Sequence, residues 1–429
     1  MAPSSSWKRV LPPAEGPVPE PPSADRLEGS DEPAARLVLG ILTHAVEERA
    51  SDIHLEPGRD TITVRGRIDG RLEQWQEIPL RFLPGIEEWL DRALAQDLID
   101  CTVWLGQRVR TDEDAPQNRR GQGWIENPLA RVVFEAMRQP IRLRRTSTTT
   151  AYGDHVALRI IPVRRPPATL EEIGLAPDSA SAVADAIGLP RGLHYETPMP
   201  GLVLVAGPAG GGRTTTLNGL IGLVDQPHLE TVLLGDPVEF ADHHRVAAKA
   251  ADVDALEQAL EADTDVVVID GICDTRTAQL AIEAVMGGRL VLATMAAPDA
   301  PTAIVRLIDL GIAPQILAAS LRCVVGQQLV RRLCPSCCVA DEVDETTYRH
   351  RGCPRCSQVG YRGRVPLFEV LTVQPDLRAA VEFGSLREIA AAATEHGMPS
   401  LREEGLRLVR DGVTSLEELG RALAAPRAR

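Results

Sequence analysis

LVLVAGPAGGGRTTTL, residues 202–217, joins an apolar strand to a glycine-rich turn and the start of a helix. Gly207 and Gly212 have the G-x-x-x-x-G spacing of a phosphate-binding loop, and Thr214 supplies the hydroxyl that faces a metal ion in such loops. Gly207, Pro208, Ala209, Gly210, Gly211, Gly212, Arg213, Thr214 and Thr215 are therefore the candidate nucleotide-binding residues. Arg213 stands where the motif requires lysine. An ammonium is slender and fits beside the β- and γ-phosphates, whereas a planar guanidinium is bulkier and prefers to fork across two oxygens. The loop is expected to hold a nucleotide without turning it over. Only Lys8 and Lys249 are lysines among 46 lysines and arginines, so drift from lysine to arginine is the plain alternative for this one change.

Outward from the loop, apolar strands at 202–206, 231–234, 266–269 and 290–294 alternate with helical segments. That order predicts an α/β fold: a parallel sheet covered by helices, with the ligand at the carboxyl ends of the strands. The run Val266-Val267-Val268-Ile269 ends in Asp270, the generic form of a metal-holding strand, and Gly271 follows where a catalytic glutamate is commonly expected. Two readings of Asp270 stay open: it organises magnesium through water, or it caps the helix predicted near 275–285.

At 429 residues the chain predicts two or three domains, and a net charge of −14 argues against a nucleic-acid partner. No apolar run approaches the roughly 18 residues of a membrane span, and the N-terminus lacks the apolar core of a signal peptide, so the cytoplasm is the expected compartment. Residues 1–33, rich in Pro, Ser and acidic residues, read as a disordered tail. Residues 34–163 read as a small α+β domain, with helices at 35–48 and 83–96 and strands around 61–75 and 155–161. A linker at 164–200 precedes the P-loop domain at 201–330. Residues 373–429 form a helical region in which Ser400 and Ser415, each with glutamate three residues on, signal capping boxes.

Between them, residues 331–372 carry Cys334-x2-Cys337 and Cys353-x2-Cys356. Paired C-x2-C turns place four thiolates tetrahedrally, which reads as a closed, structural zinc site. His54 lies beside Asp52 and Glu56, an arrangement read as a domain interface rather than a metal site. Arg65 and Arg67 alternate with apolar residues and project from one face of a strand, solvated by default but able to reach a neighbour's phosphate.

Together these segments resemble the type II secretion protein E and type IV pilus assembly ATPase family over about residues 34–425. ERASDIHLEP with RGRIDGRL resembles its N-terminal signature and GDPVEF its aspartate box, while QLVRRLC, GCPRC and GYRGRVPLFEVL resemble its C-terminal half. The resemblance implies RecA-like domains in a hexameric ring, each preceded by an N-terminal, PAS-like regulatory domain that closes over ATP or ADP with Mg²⁺. It implies a cytoplasmic protein peripheral to the inner membrane, coupled to a platform protein in that membrane. By motif position Arg65 and Arg67 match the closing arginines, Asp236 and Glu239 part of the aspartate box, and Cys334, Cys337, Cys353 and Cys356 the zinc ligands. The departures are Gly235, Gly271, Cys273, Ala296 and Gln328, where the family has glutamate, glutamate, arginine, histidine and arginine; with Arg213 they make six changes expected around one active site. No catalytic residue survives with assurance, Asp270 being the weak candidate, so hydrolysis by the family mechanism is not expected. The expectation is a degenerate ring subunit with a structural or regulatory role, in a homo-hexamer or in a mixed ring with an active paralogue. Two alternatives are a working motor in which Asp270 replaces the missing glutamate, and a nucleotide-sensing regulator.

Overall fold

The computed structural model describes residues 33–94, 102–105, 141–162, 167, 169–188, 198–224, 226, 228–235, 246–249, 253–340 and 347–424. The tail read at 1–33 thus falls almost wholly outside the described residues. The chain forms two compact units, one within residues 16–165 and one from residue 166 onward.

In the first unit six strands pair antiparallel in the order β3-β2-β1-β6-β5-β4. They are β1 (Asp52–Pro57), β2 (Thr61–Ile68), β3 (Arg71–Pro79), β4 (Thr102–Leu105), β5 (Ile141–Thr150) and β6 (Gly153–Pro162). Asp69 and Gly70, with φ of 47° and 85°, make the two-residue turn between β2 and β3, the Asp-Gly hairpin chemistry that favours left-handed backbone. Period-two alternation gives the sheet one apolar face: Ile53, Leu55, Ile62, Val64, Val156 and Leu158 are buried, while their neighbours Asp52, His54 and Glu56 are half-exposed. Helices α1 (Pro33–Glu47) and α2 (Leu83–Leu94) lay Val38, Ile41, Leu42, Ile86 and Leu90 on that face. Each such side chain contributes about 1.5–3 kcal/mol by leaving water.

The second unit holds a seven-stranded sheet in the order β15-β12-β7-β11-β10-β8-β9. These are β7 (Gly201–Ala206), β8 (Thr231–Leu234), β9 (Val246–Lys249), β10 (Val266–Ile269), β11 (Leu290–Met295), β12 (Leu321–Leu333) and β15 (Tyr361–Thr372), while β13 (Cys338–Ala340) and β14 (Tyr348–His350) pair antiparallel in a sheet of their own. All pairs are parallel except β12 with β15. Every residue of β7, β8, β10 and β11 is buried, as a parallel sheet covered on both faces demands. The helices are α3 (Pro177–Ile187), α4 (Arg213–Val224), α5 (Val253–Glu261), α6 (Thr275–Met286), α7 (Ala300–Asp309), α8 (Pro314–Ser320), α9 (Pro375–Phe383), α10 (Leu386–Glu395), α11 (Leu401–Arg410) and α12 (Leu416–Leu423). The segment read as a linker is partly structural, because Leu170, Leu175, Val183 and Ile187 are buried in one core with β7 and α4.

Two buried acids tie this unit together. Glu369 on β15 lies opposite Gly326 of β12, 3 % exposed. Its Oε1 accepts from Ala300 N–H at 2.5 Å and its Oε2 from Leu401 N–H at 3.1 Å, so one carboxylate holds the first turns of α7 and α11. Glu418, fully buried, accepts from Arg331 through the backbone N–H (3.0 Å), Nε (2.9 Å) and Nη2 (2.7 Å), and from Arg421. The Arg331 guanidinium also lies 4.1 Å from the ring centre of Tyr361, whose hydroxyl meets Ser415 at 2.6 Å. The two capping-box signals therefore part company. Ser400 and Glu403 make the reciprocal box, whereas Ser415 caps α12 alone because its glutamate is drawn inward to Arg331.

Candidate phosphate-binding site

Residues 207–212 leave the buried end of β7, and α4 begins at Arg213, so the helix's free N–H groups open onto the turn. Gly210 and Gly212 take φ of 73° and 90°, which lets successive amides point inward as an anion-binding nest. Gly207 answers a different need. A Cβ there would lie 2.7 Å from the backbone oxygen of Gln327, so only glycine lets the loop lie against β12. The loop is pinned from both sides: Gly207 N–H donates to Met295 O at 3.2 Å, Ala297 N–H reaches Gly207 O at 3.4 Å, and the Thr216 hydroxyl donates to Gln327 Oε1 at 2.6 Å. Sequence reading missed Gln327, which is buried and reads as one more strand residue until β12 is set beside β7.

Arg213 is half-buried at the first position of α4. Burial lowers its pKa, the nearby Asp270 charge acts in the opposite sense, and Arg306 adds to the lowering. A guanidinium so placed stays protonated at physiological pH and brings a positive charge and five donors to the start of the helix. Asp270 follows β10, and its Oδ1 accepts from the Thr294 hydroxyl at 2.8 Å. The helix-capping alternative for Asp270 is not what forms: Asp274 caps α6 by accepting from Thr277 N–H at 2.9 Å. Asp270 stands four residues before that cap, its charge acting on Arg213.

Gly271 has φ of 116°, a backbone conformation that L side chains rarely adopt, although a Cβ would meet nothing within 4 Å. Space for a side chain remains there; the peptide geometry for one does not. Cys273 donates to Asp274 Oδ2 at 3.5 Å, and the Ala296 carbonyl accepts from Arg306. Gln328 departs from expectation. Its Nε2 donates to the Ala422 carbonyl of α12 at 3.1 Å, since the strand's alternation sends it to the face opposite Gln327. The Gln328 side chain thus faces away from the loop. Asp236 and Glu239 lie outside the described residues.

Arg65 and Arg67 sit on β2 in the other unit. Arg65 Nε lies 3.4 Å from Glu56 Oε2, Arg67 Nε 3.8 Å from Asp52 Oδ2, and each arginine is rather more than one-third exposed. Among the cysteines, Cys334 and Cys353 have sulfurs 3.9 Å apart, Cys337 and Cys356 3.8 Å, and Cys353 and Cys356 3.7 Å. Four thiolates bound tetrahedrally at about 2.3 Å would have sulfurs about 3.8 Å apart. Backbone N–H groups of Cys353 and Gly360 point at the Cys356 sulfur, at 3.3 and 3.2 Å, as thiolates in such knuckles require. Cys338, next in the chain, is not part of the cluster.

The family described as type II/IV secretion system protein matches residues 28–421. The type II secretion system protein HxcR of Pseudomonas aeruginosa is 33% identical over 413 residues, covering 93% of this chain and 79% of its own. The type IV pilus assembly ATPase TfpB of Acinetobacter baylyi is 29% identical over 419 residues, covering 92% of this chain and 66% of its own. Among solved structures, the Legionella pneumophila ATPase DotB superposes with a TM-score of 0.59 at 16% identity, over 91% of this chain and 96% of that one. The pilus retraction motor PilT with bound ADP gives 0.57 at 20% identity, over 90% and 96%.

Proposed function

The chain belongs to the type II/IV secretion system protein family, and from that premise we propose that it is a nucleotide-binding subunit with impaired hydrolysis, acting structurally or as a regulator within a secretion or pilus apparatus. The observation that carries the reading is the contrast between a phosphate loop whose backbone is fully formed and Gly271, whose φ of 116° leaves no ordinary place for a catalytic acid. The loop amides and the α4 N-terminus hold the phosphates. Arg213 would pair with their oxygens, and the Thr214 hydroxyl and Asp270 are the groups that would hold Mg²⁺. When bound, the magnesium ion neutralises phosphate charge. Among the described residues, glycine stands at 271 where the family has the glutamate that takes a proton from water, and loss of such a group commonly costs 10²–10⁴-fold in rate.

The reading extends to partners and place. The subunit joins a hexameric ring, alone or with an active paralogue, whose neighbouring N-terminal unit brings Arg65 and Arg67 to the phosphates. It works in the cytoplasm, peripheral to the inner membrane and against a platform protein in it. Among the described residues no helix is long and apolar enough to cross a membrane. The four cysteines hold a structural zinc ion, for which their sulfur spacing is suited.

Thermal melting of the purified chain with and without MgATP, together with phosphate release, tests the reading. A melting shift that disappears in Thr214→Ala, without phosphate release above that variant's background, is expected. Release that is appreciable and abolished by Thr214→Ala would instead make the chain a motor. A shift in a protein that neither assembles nor hydrolyses would make it a nucleotide sensor.

A further inference from the structure

Pairing of β1 with β6 sets His54 opposite Ala157 and Leu55 opposite Val156, and Glu56 and His155, next along the two strands, come together with His54. His54, Glu56 and His155 thus share the polar face of the N-terminal sheet, while Ile53, Leu55 and Val156 between them face the core. His155 is 101 residues from His54 and carries no local signal. The fold alone makes the cluster.

Its geometry suits a cation. His54 Nδ1 and His155 Nε2 are 3.4 Å apart, with the rings stacked at 26°. Two imidazole nitrogens bound tetrahedrally to zinc at about 2.0–2.1 Å would stand about 3.4 Å apart. One ligand atom from each of the three residues lies within 4.8 Å of the others, and a glutamate side chain can swing to close the remainder. His54 Nε2 is buried with no hydrogen-bond partner among the described residues, so the ring's only polar contact is the long one to His155. Nδ1, the nitrogen that faces His155, is the ligand atom of the pair, and Nε2 carries the ring proton. Burial and then Arg67 lower the His54 pKa, against Asp52 and Glu56, which favours the neutral ring that a metal ligand needs. The competitor is Arg65, which pairs with Glu56 at 3.4 Å from a side chain 38% exposed and can turn to water.

We propose that His54, Glu56 and His155 bind a divalent transition metal of the zinc class, with a fourth position open to the half-exposed face. Two imidazoles and one carboxylate on three neighbouring positions of a rigid sheet are a donor set for zinc or its congeners rather than for calcium or magnesium. The site is separate from the tetracysteine cluster and does not rest on the nucleotide reading.

Cobalt(II) titration of the metal-depleted full chain tests this. The four thiolates would take one equivalent with intense near-ultraviolet sulfur-to-cobalt absorption, and the nitrogen–oxygen site a second with weak visible bands only. His155→Gln and His54→Gln should each remove the second equivalent and leave the first unchanged, and excess zinc should displace both. Glu56→Gln, which leaves both rings in place, should weaken the second equivalent at least tenfold. Intrinsic tryptophan fluorescence, to which Trp75 and Trp89 of the same unit contribute, confirms that each variant is folded. A wild-type chain that takes no second equivalent, or a second equivalent indifferent to all three substitutions, overturns the proposal.

Discussion

Glu369→Gln tests how the second unit is held together, and its effect can be worked out before the measurement. Burial pushes the Glu369 pKa up to about 7 from 4.5, against the two backbone N–H groups that favour its charged form and with Asp299 adding to the rise. A group with a raised folded pKa binds its proton more tightly in the native state. Its contribution to stability is whole below about pH 4.5 and is lost as the pH climbs through about 7. The gap between 4.5 and about 7 corresponds, at about 1.4 kcal/mol per pH unit, to about 3 kcal/mol. Glutamine does not titrate, so the wild-type chain should lose about that much relative to Glu369→Gln between pH 4.5 and 8.

Urea denaturation by far-ultraviolet circular dichroism, run on both proteins across that range, reads the difference. Subtracting one protein from the other cancels whatever the cysteines do as they titrate. Tryptophan fluorescence is the wrong probe, because all five tryptophans precede residue 125 and residues 166–429 contain none. Hydrogen exchange at the starts of α7 and α11 should report the same loss locally, as Ala300 and Leu401 N–H share this acceptor. A stability difference that stays flat from pH 4.5 to 8 refutes the reasoning. So does one in which the wild type gains with pH, since that would mean the two amides and their helix ends outweigh burial.

Two further outcomes follow from contacts already described. Burial would raise the Glu418 pKa, but Arg421 and Arg331 outweigh it and hold it at about 2, so its contribution is present above about pH 4.5 and is lost as the pH falls through about 2. Glu418→Gln leaves Arg331 buried without its counter-charge and should cost about 3–5 kcal/mol at neutral pH by urea denaturation; Glu403→Gln, at an exposed cap, should change little by comparison. Gly207→Ala drives a Cβ against the Gln327 carbonyl, which cannot rotate away, and should abolish the MgATP melting shift at a stability cost of about 1–3 kcal/mol. A retained shift would show that the loop can leave β12 and still bind.

The elements legible in the sequence are those whose signal is local and periodic. The strands at 202–206, 231–234, 266–269 and 290–294 and the helices ending the chain are found within a residue or two, since each carries an unbroken apolar run or a clean apolar stripe. The phosphate loop was equally plain, its spacing fixed within eight residues. What escaped was long-range. Gln327 and Gln328 look alike in a strand, and only the place of β12 beside β7 decides which touches the loop. Ser400-to-Glu403 and Ser415-to-Glu418 carry the same capping signal, yet Arg331, 87 residues away, claims the second glutamate. His155 has no local partner at all until β6 meets β1. Where a residue's role is set by what crosses the sheet beside it, one-dimensional pattern has nothing to report.

β12 itself has a mechanical meaning. Adjacent side chains on one stiff ribbon grip opposite clients: Gln327 holds the anion loop through Thr216, and Gln328 holds the last helix through the Ala422 carbonyl. Arg331, three residues further on, bolts that helix down through Glu418. Any tug on the chain's carboxyl end is therefore delivered, within about 3.4 Å of backbone, to the wall against which a phosphate would rest. In this ribbon the helix at residues 416–423 and the phosphate loop share one backbone, so a displacement of either is felt by the other.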